Sequence, residues 1–272
     1  MPKSHNLIRI GQAIALAAAC VMASPVGAGV LYATSFEQPT FTPGPIAGQD
    51  GWAEFGGSAS FVENSFAFTG TQAVEVIPAL ATGQDGPYKT VNTPAPIVEQ
   101  SAEIYLASSS TQSAWQFAAL GSGLIGFAGG IDVYADNTIH AITGSLPTIG
   151  TFTRDTWNKV DLNLDYATQT YTIDVNCVPI ASNIAFCGSN GACTGAVVPS
   201  YSDGIFDTFA GVAGVNDIGY IDDYSVVAVP APVIGHGLSS VLAMGSVLFG
   251  AKLFQRSKKR RSLEIAIGHA AA

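Results

Sequence analysis

Residues 157–176 read Trp-Asn-Lys-Val-Asp-Leu-Asn-Leu-Asp-Tyr-Ala-Thr-Gln-Thr-Tyr-Thr-Ile-Asp-Val-Asn. Val160, Leu162, Leu164 and Tyr166 alternate with Asp161, Asn163 and Asp165. After Ala167-Thr168-Gln169, Tyr171, Ile173 and Val175 alternate with Thr172, Asp174 and Asn176. Successive side chains of a strand point to opposite faces, so a period of two collects the apolar set on one side. A helix needs apolar residues three and four apart, a spacing absent here. The stretch predicts a β-hairpin with one buried face.

Outward from the hairpin the pattern recurs. Strand candidates lie at 31–36, 60–68, 73–78, 97–106, 114–120, 131–134, 138–142, 208–215 and 219–227, most of them separated by Gly, Pro, Asn or Asp. Many short strands with turn signals and no convincing helix predict an all-β fold over residues 29–229, a two-sheet antiparallel jelly-roll sandwich. The 272 residues are 48% hydrophobic and 11% charged, with 30 glycines to supply turns. That composition excludes intrinsic disorder, which needs low hydrophobicity and high charge.

The two ends follow other rules. Lys3 and Arg9 precede an apolar run at 13–23, and Val26-Gly27-Ala28 supplies small residues. This predicts a signal peptide over 1–28, cleaved after Ala28, and hence export. At the other end, residues 234–253 form an apolar stretch. Twenty residues at about 1.5 Å each reach about 30 Å, one hydrocarbon thickness, which predicts a transmembrane helix. Arg256, Lys258, Lys259, Arg260 and Arg261 follow it and favour the cytoplasmic side. The sorting and anchoring segment is placed at 230–262, with a short tail at 263–272. Between the ends, Lys89, Arg154 and Lys159 are the only bases against nineteen acids, a formal charge of −16. Such a field repels phosphate backbones and excludes nucleic acid as a partner, while cations are welcome.

Pro230-Ala231-Pro232, the apolar run and the Arg/Lys cluster resemble the PEP-CTERM class of bacterial sorting signals, with Ala231 in place of the usual Glu. The resemblance implies a bacterial envelope surface or extracellular destination and a processing protease, an exosortase, acting near the prolines. Simple retention as a membrane anchor stays open. Ser35-Phe36-Glu37 with Gly48-Gln49-Asp50-Gly51-Trp52, the hairpin 157–176, and Gly219-Tyr220-Ile221-Asp222-Asp223-Tyr224-Ser225-Val226 resemble, in that order, the opening, central hairpin and closing strand of concanavalin A-like (laminin-G-like) jelly rolls. That hairpin usually ends Asn-Gly, and Cys177 stands where the glycine would be. Galactose-binding-type jelly rolls share the first and last anchors, so both families stay open.

The likeness implies site residues. In such jelly rolls the first and last strands lie side by side and clamp a structural Ca²⁺, which places Glu37 and Asp222 as ligands, with Asp223 behind them. Strict alternation puts Tyr220, Asp222, Tyr224 and Val226 on one face and aims Asp222 at the apolar side, where a carboxylate needs a metal or hydrogen-bond donors. Laminarinase-type members place two glutamates four residues apart with an aspartate midway. Glu99-Gln100-Ser101-Ala102-Glu103 keeps the spacing with Ser101 in the middle.

Other chemistry is sparse. Asp203-Gly204-Ile205-Phe206-Asp207 and Asp132 with Asp136-Asn137 read as acidic turns. His140 is the only histidine between residues 29 and 229, which leaves no zinc cluster, and no nucleophile elbow accompanies it. Cys177, Cys187 and Cys193 remain after signal removal; the short loop favours a Cys187–Cys193 disulfide, with Cys177–Cys187 as the alternative. Trp52, Trp115 and Trp157 either stack on sugars or fill the core. The expected function is a non-catalytic, secreted or surface-anchored module that binds polysaccharide or builds the envelope matrix. The alternative is a secreted laminarinase-type glycoside hydrolase using Glu99 and Glu103.

Overall fold

The computed structural model describes residues 28–230, apart from 57–58, 79–83, 111, 122–125, 189–192, 194–196 and 211–216. Residues 1–27 of the expected signal and the expected membrane helix lie outside the described residues, among which no helix is long and apolar enough to cross a membrane.

The diagnostic hairpin forms β12 (Trp157–Asp165) and β13 (Thr170–Val175), paired from Val160↔Val175 to Asp165↔Thr170. Val160, Leu162, Leu164, Tyr171 and Ile173 are buried, as the alternation requires. The chain then turns through Asn176 (φ 53°) and Cys177 (φ 63°) into β14 (Val178–Ala185). Two left-handed residues in a two-residue loop make a type I′ turn, so Cys177 holds a conformation that glycine fills at lower cost.

Two antiparallel sheets pack as a sandwich. The larger runs β14, β13, β12, β7 (Ile97–Leu106), β16 (Gly219–Val229), β5 (Ala73–Ile77), β4 (Ala59–Glu63) and β2 (Gly44–Pro45). The edge of β16 away from β7 is shared: Gly219 to Ile221 pair with β5, and Tyr224 to Ala228 pair with β1 (Gly29–Thr34). The smaller sheet runs β11 (Thr148–Thr151), β10 (Thr138–Ala141), β9 (Phe127–Val133), β8 (Ala114–Gly121), β15 (Tyr201–Ala210), β6 (Gly86–Thr93) and β3 (Trp52–Phe55).

The core lies between the sheets. Val98, Ala102, Ile104 and Leu106 of β7 join Val160, Leu162, Ile221 and Val226 from one side, and Trp115, Phe117, Ile131 and Phe206 from the other. Fully burying a side chain such as Leu, Ile or Phe contributes roughly 1.5–3 kcal/mol. Gln100, which interrupts the apolar face of β7, is fully buried. Its Oε1 accepts the Tyr201 hydroxyl at 3.0 Å, its Nε2 donates to the Ala118 carbonyl at 3.1 Å, and the Tyr224 hydroxyl lies 3.0 Å from that of Tyr201. This network occupies the space above Gly204, where an added Cβ would collide with the Tyr224 hydroxyl.

Two expectations are corrected. Residues 203–207, read as an acidic turn, form the middle of β15. Their acids point away from the inter-sheet core yet are buried, so polarity here does not mark a loop. The second correction concerns β16. Asp222 pairs with Glu103 but Ser225 pairs with Ser101, so β16 carries one residue more than β7 over this interval. Asp223 has φ 45°, and the extra residue is a β-bulge. It reverses the alternation: Tyr220 and Asp222 face outward, while Tyr224 and Val226 enter the core.

Candidate functional site

The outer face of the larger sheet is built in rows, because residues paired across neighbouring strands stand side by side. One row is aromatic: Trp157 of β12, Tyr105 of β7 and Tyr220 of β16 are cross-strand neighbours. The next is charged: Lys159, Glu103 and Asp222. Asp161, Ser101 and Ser225 follow, and then Asn163, Glu99 and Val227. Rows are two residues apart along a strand, about 6.7 Å.

The connection between β4 and β5 folds over the first two rows. Phe66 stacks on Trp157 with ring centroids 5.4 Å apart and 16° between planes, and lies 4.7 Å from Tyr105 and 4.8 Å from Tyr220. Phe68 packs on Trp157 at 5.8 Å and remains 44% exposed. The result is a partly exposed aromatic platform. Of the three tryptophans only Trp157 faces outward, since Trp52 and Trp115 are buried.

Glu37 and Asp222 hold this connection in place. Glu37 Oε1 accepts the N–H groups of Thr71 at 2.6 Å and Gln72 at 2.8 Å, and Oε2 accepts the Thr71 hydroxyl at 2.8 Å. Asp222 Oδ2 accepts the N–H groups of Phe68 at 2.9 Å and Thr69 at 3.1 Å, and Oδ1 that of Asp223 at 2.7 Å. Thr69 Oγ1 donates to Asp223 at 2.8 Å. Gly70 is left-handed (φ 65°), and a side chain there would strike the Glu37 carboxylate. The opening and closing strands are thus joined to one segment by hydrogen bonds. N–H and O–H donors occupy the oxygens that the jelly-roll likeness assigned to Ca²⁺, and no group of three or more acidic, His or Cys residues among the described residues is placed to hold a metal. This donor set does not fit a calcium ion.

Burial and like charge act on the second and fourth rows. Burial of Glu103, reinforced by Asp223, Asp161 and Asp222 and opposed by Lys159, pushes its carboxyl up to about 7. Glu99 is raised by burial, with Asp161 and Asp174 adding and Lys159 opposing. Asp222 is pushed up to about 6, because burial outweighs the backbone N–H groups it accepts. Burial also works to raise Glu37, yet the bonds from Thr71 and Gln72 prevail and hold it below the usual range. Asp161 accepts the Ser101 hydroxyl at 2.6 Å and the Lys159 ammonium at 2.8 Å.

Glu99 and Glu103 therefore share the outer face, four residues apart along one strand, about 13 Å between Cα atoms. Retaining glycosidases need carboxyl groups about 5–5.5 Å apart and inverting ones about 6.5–9.5 Å. The intervening aspartate missing from β7 itself is supplied across the ladder: Asp161 stands opposite Ser101. Pairing to a different strand leaves no trace in the local spacing of 99–103, so sequence reasoning passed over it.

The outer face of the smaller sheet is closed. Ala118, Leu120, Ile142, Cys187 and Ile205 form a second buried cluster, with Phe55, Tyr88, Phe127 and Cys193 packed against it. Cys187 and Cys193 are joined in a disulfide, and no described cysteine is free. Beside the cluster, Gln84 Nε2 donates to Gln116 at 3.1 Å and Gln116 Nε2 to Asp132 at 2.8 Å. Burial pushes Asp132 up to about 6. Asp207 is fully buried and neither of its oxygens has a hydrogen-bond partner among the described residues; burial first, then Asp132 and Asp85, raise it well above the carboxylate range. His140 donates from Nδ1 to the Leu146 carbonyl at 2.8 Å and faces the Thr138 hydroxyl through Nε2 at 2.9 Å, a hydrogen-bonded strand residue.

No protein-family signature matches the chain, nor does any curated protein sequence. Solved structures do match in fold. A sialidase aligns at TM-score 0.55 and 10% identity over 73% of this chain, which spans only 18% of the sialidase. The cellulose-induced protein Cip1 aligns at TM-score 0.50 and 13% identity over 68% of this chain and 96% of Cip1. The alginate lyase Aly36B, as a mutant in complex with an alginate trisaccharide, aligns at TM-score 0.50 and 12% identity over 75% of this chain and 98% of the lyase. At these identities the likeness concerns the sandwich alone.

Proposed function

We propose that this chain is a non-catalytic polysaccharide-binding module, a jelly-roll sandwich exported to the bacterial envelope surface or the surrounding matrix. The observation that carries the reading is the aromatic row of Trp157, Tyr105 and Tyr220 under Phe66 and Phe68, next to a row of carboxylates. Pyranose rings offer C–H faces to aromatic side chains and hydroxyl donors to carboxylates, and both kinds of group meet on this face. The pairing of β1 with β16 and the central β12–β13 hairpin support the concanavalin A-like form of the jelly roll. Fold likeness to a lyase with a bound alginate trisaccharide supports polysaccharide as the class of partner. Export by residues 1–28, and anchoring or protease-dependent sorting through 230–262, complete the reading.

A glycan array probed with the full chain tests it. Phe68→Ala and Trp157→Ala are expected to lose retention at least tenfold, the former without change in melting temperature because Phe68 is already 44% exposed. Absence of retention on any glycan would overturn the reading. A second reading, glycoside hydrolysis, is favoured by one observation: Glu103, at about 7, is half protonated at neutral pH, as a general acid must be, with Glu99 on the same face. Reducing-sugar release that vanishes in Glu103→Gln would put it in first place.

A further inference from the structure

The face that carries the aromatic row is charged on one side of the balance. Glu99, Glu103, Asp161, Asp174 and Asp223 stand there against one base, Lys159. The other two bases of the domain are engaged elsewhere: Lys89 lies with Asp50 and over the Tyr32 ring, and Arg154 donates to Asn137 and to the Ala107 and Tyr134 carbonyls. Lys159 is itself held on Asp161 at 2.8 Å. One ammonium, shared with Asp161, therefore compensates only part of the negative charge of Glu103 and Glu99.

Glu103 is the telling residue. It is 9% exposed, directly below the aromatic row, and it accepts no hydrogen bond from any described residue. Its neighbour in the same row, Asp222, has both oxygens occupied by backbone N–H groups. A carboxylate partly withdrawn from water, with no donor from the protein, gains from a donor that a ligand brings. The sequence does not fill that need from within: the cross-strand Lys159 turns to Asp161 instead. The unpartnered carboxylate reaches solvent beside the aromatic platform, where a ligand's donor can meet it.

We propose that the ligand of this face is a glycan bearing primary amines, a glucosamine-type polymer with free amino groups, whose ammonium group sits on Glu103 while its sugar faces lie on the aromatic row. The inference rests on the polysaccharide-binding reading and names the class of polysaccharide. An ammonium gives charge-assisted hydrogen bonds of about 2.7–2.9 Å to carboxylates and is attracted to aromatic faces within about 6 Å, so one group uses both features of the site. A hydroxyl supplies the donor but leaves the charge. A uronate, the sugar of alginate, brings a like charge to five carboxylates and is repelled. The same fold that holds an alginate trisaccharide in a lyase thus presents the opposite preference here.

The test is equilibrium binding of the full chain at low salt to four hexasaccharides: fully de-N-acetylated glucosamine, its N-acetylated form, cellohexaose and an alginate fragment. The amine-bearing hexamer is expected to bind at least tenfold tighter than the two neutral ones, with alginate undetectable, and the preference is expected to shrink with added salt. Glu103→Gln is expected to bring the amine-bearing hexamer to within threefold of cellohexaose, with a cooperative melting transition and an unchanged circular dichroism spectrum reporting that the variant is folded. Should that variant fail to fold, Glu99→Gln is expected to reduce the preference by a smaller factor. Equal binding of neutral and amine-bearing hexamers, tight binding of alginate, or full preference retained in both variants would overturn the ligand class and leave polysaccharide binding intact. Binding of none of the four, together with a blank glycan array, would overturn both.

Discussion

The outward faces of the two sheets are written in the same alternating code and become different materials. On the larger sheet, Asn163, Glu99 and Asp174 leave the core and line a half-exposed face with aromatics beside them, although Asp161 among them is buried. On the smaller sheet, Asp132, Asp203 and Asp207 also leave the inter-sheet core, yet each is buried. Asp203 is satisfied by the Thr90 and Ser202 hydroxyls, Asp132 by Gln116, and Asp207 by none of the described residues. The difference lies in what packs above. Cys187, Cys193, Phe127 and Ile142 cover one face, while on the other the β4–β5 connection covers the end that carries the aromatic row. Alternation tells which side chains leave the core; only the covering tells whether they meet water.

Substitutions that add volume should separate the two faces most strongly. A Cβ at Gly130 would lie 2.6 Å from Ala118 Cβ and 2.7 Å from the Phe117 carbonyl. Gly130→Ala is expected to cost about 3 kcal/mol in urea denaturation, whereas Ser225→Thr on the open face should stay within about 0.5 kcal/mol. A neutral Gly130→Ala would mean that the smaller sheet's outer face is not packed.

Proton binding sharpens the contrast. Asp132 (about 6), Asp222 (about 6), Glu103 (about 7) and Asp207 all have folded-state values raised above the unfolded ones. Raised carboxyls contribute stability that is complete below the unfolded value, near 4, and lost as pH rises through the folded one. Stability should therefore fall from about pH 4 to about pH 7. Asp132→Asn should abolish a part of that fall on the order of 2 kcal/mol, and Glu103→Gln a smaller part because its carboxyl lies at an open face. Melting curves that rise toward pH 8 would contradict the buried state of these acids.

The clamp on the β4–β5 connection predicts an effect of intermediate to small size. Glu37→Ala leaves three donors without their acceptor and should cost about 1–2 kcal/mol, with Trp157 fluorescence shifting as Phe66 loosens. The smallest effect is expected from calcium: melting temperature in EDTA and in millimolar Ca²⁺ should coincide, because hydrogen bonds already fill the clamp. A calcium-dependent rise would reinstate a metal between Glu37 and Asp222.

Much of the scaffold was readable in the chain. The 157–176 hairpin, the 97–106 strand and the all-β class follow from a period of two, which is a local property of backbone geometry. Strands β2, β3, β6, β11 and β14 lie outside the ranges that alternation marks: β6, for one, opens with Gly86-Pro87, a turn signal, and is short on apolar alternation. Gln100 broke the pattern of β7 for a reason found on two other strands, Tyr201 on β15 and Tyr224 on β16.

The candidate site divides along the same line. Local alternation determined by itself that Glu99, Glu103 and Asp161 leave the core, and charge counting determined that the domain repels anions. Tertiary structure alone decided that the bulge at Asp223 turns Asp222 outward, that Phe66 stacks on Trp157, that Asp161 stands between two glutamates of another strand, and that Asp207 is sealed. A single inserted residue reverses the alternation, and cross-strand register and coverage depend on contacts between segments as much as 154 residues apart. Such contacts carry no periodic signature in the chain, because the energy that selects them belongs to the packed pair and to neither segment alone.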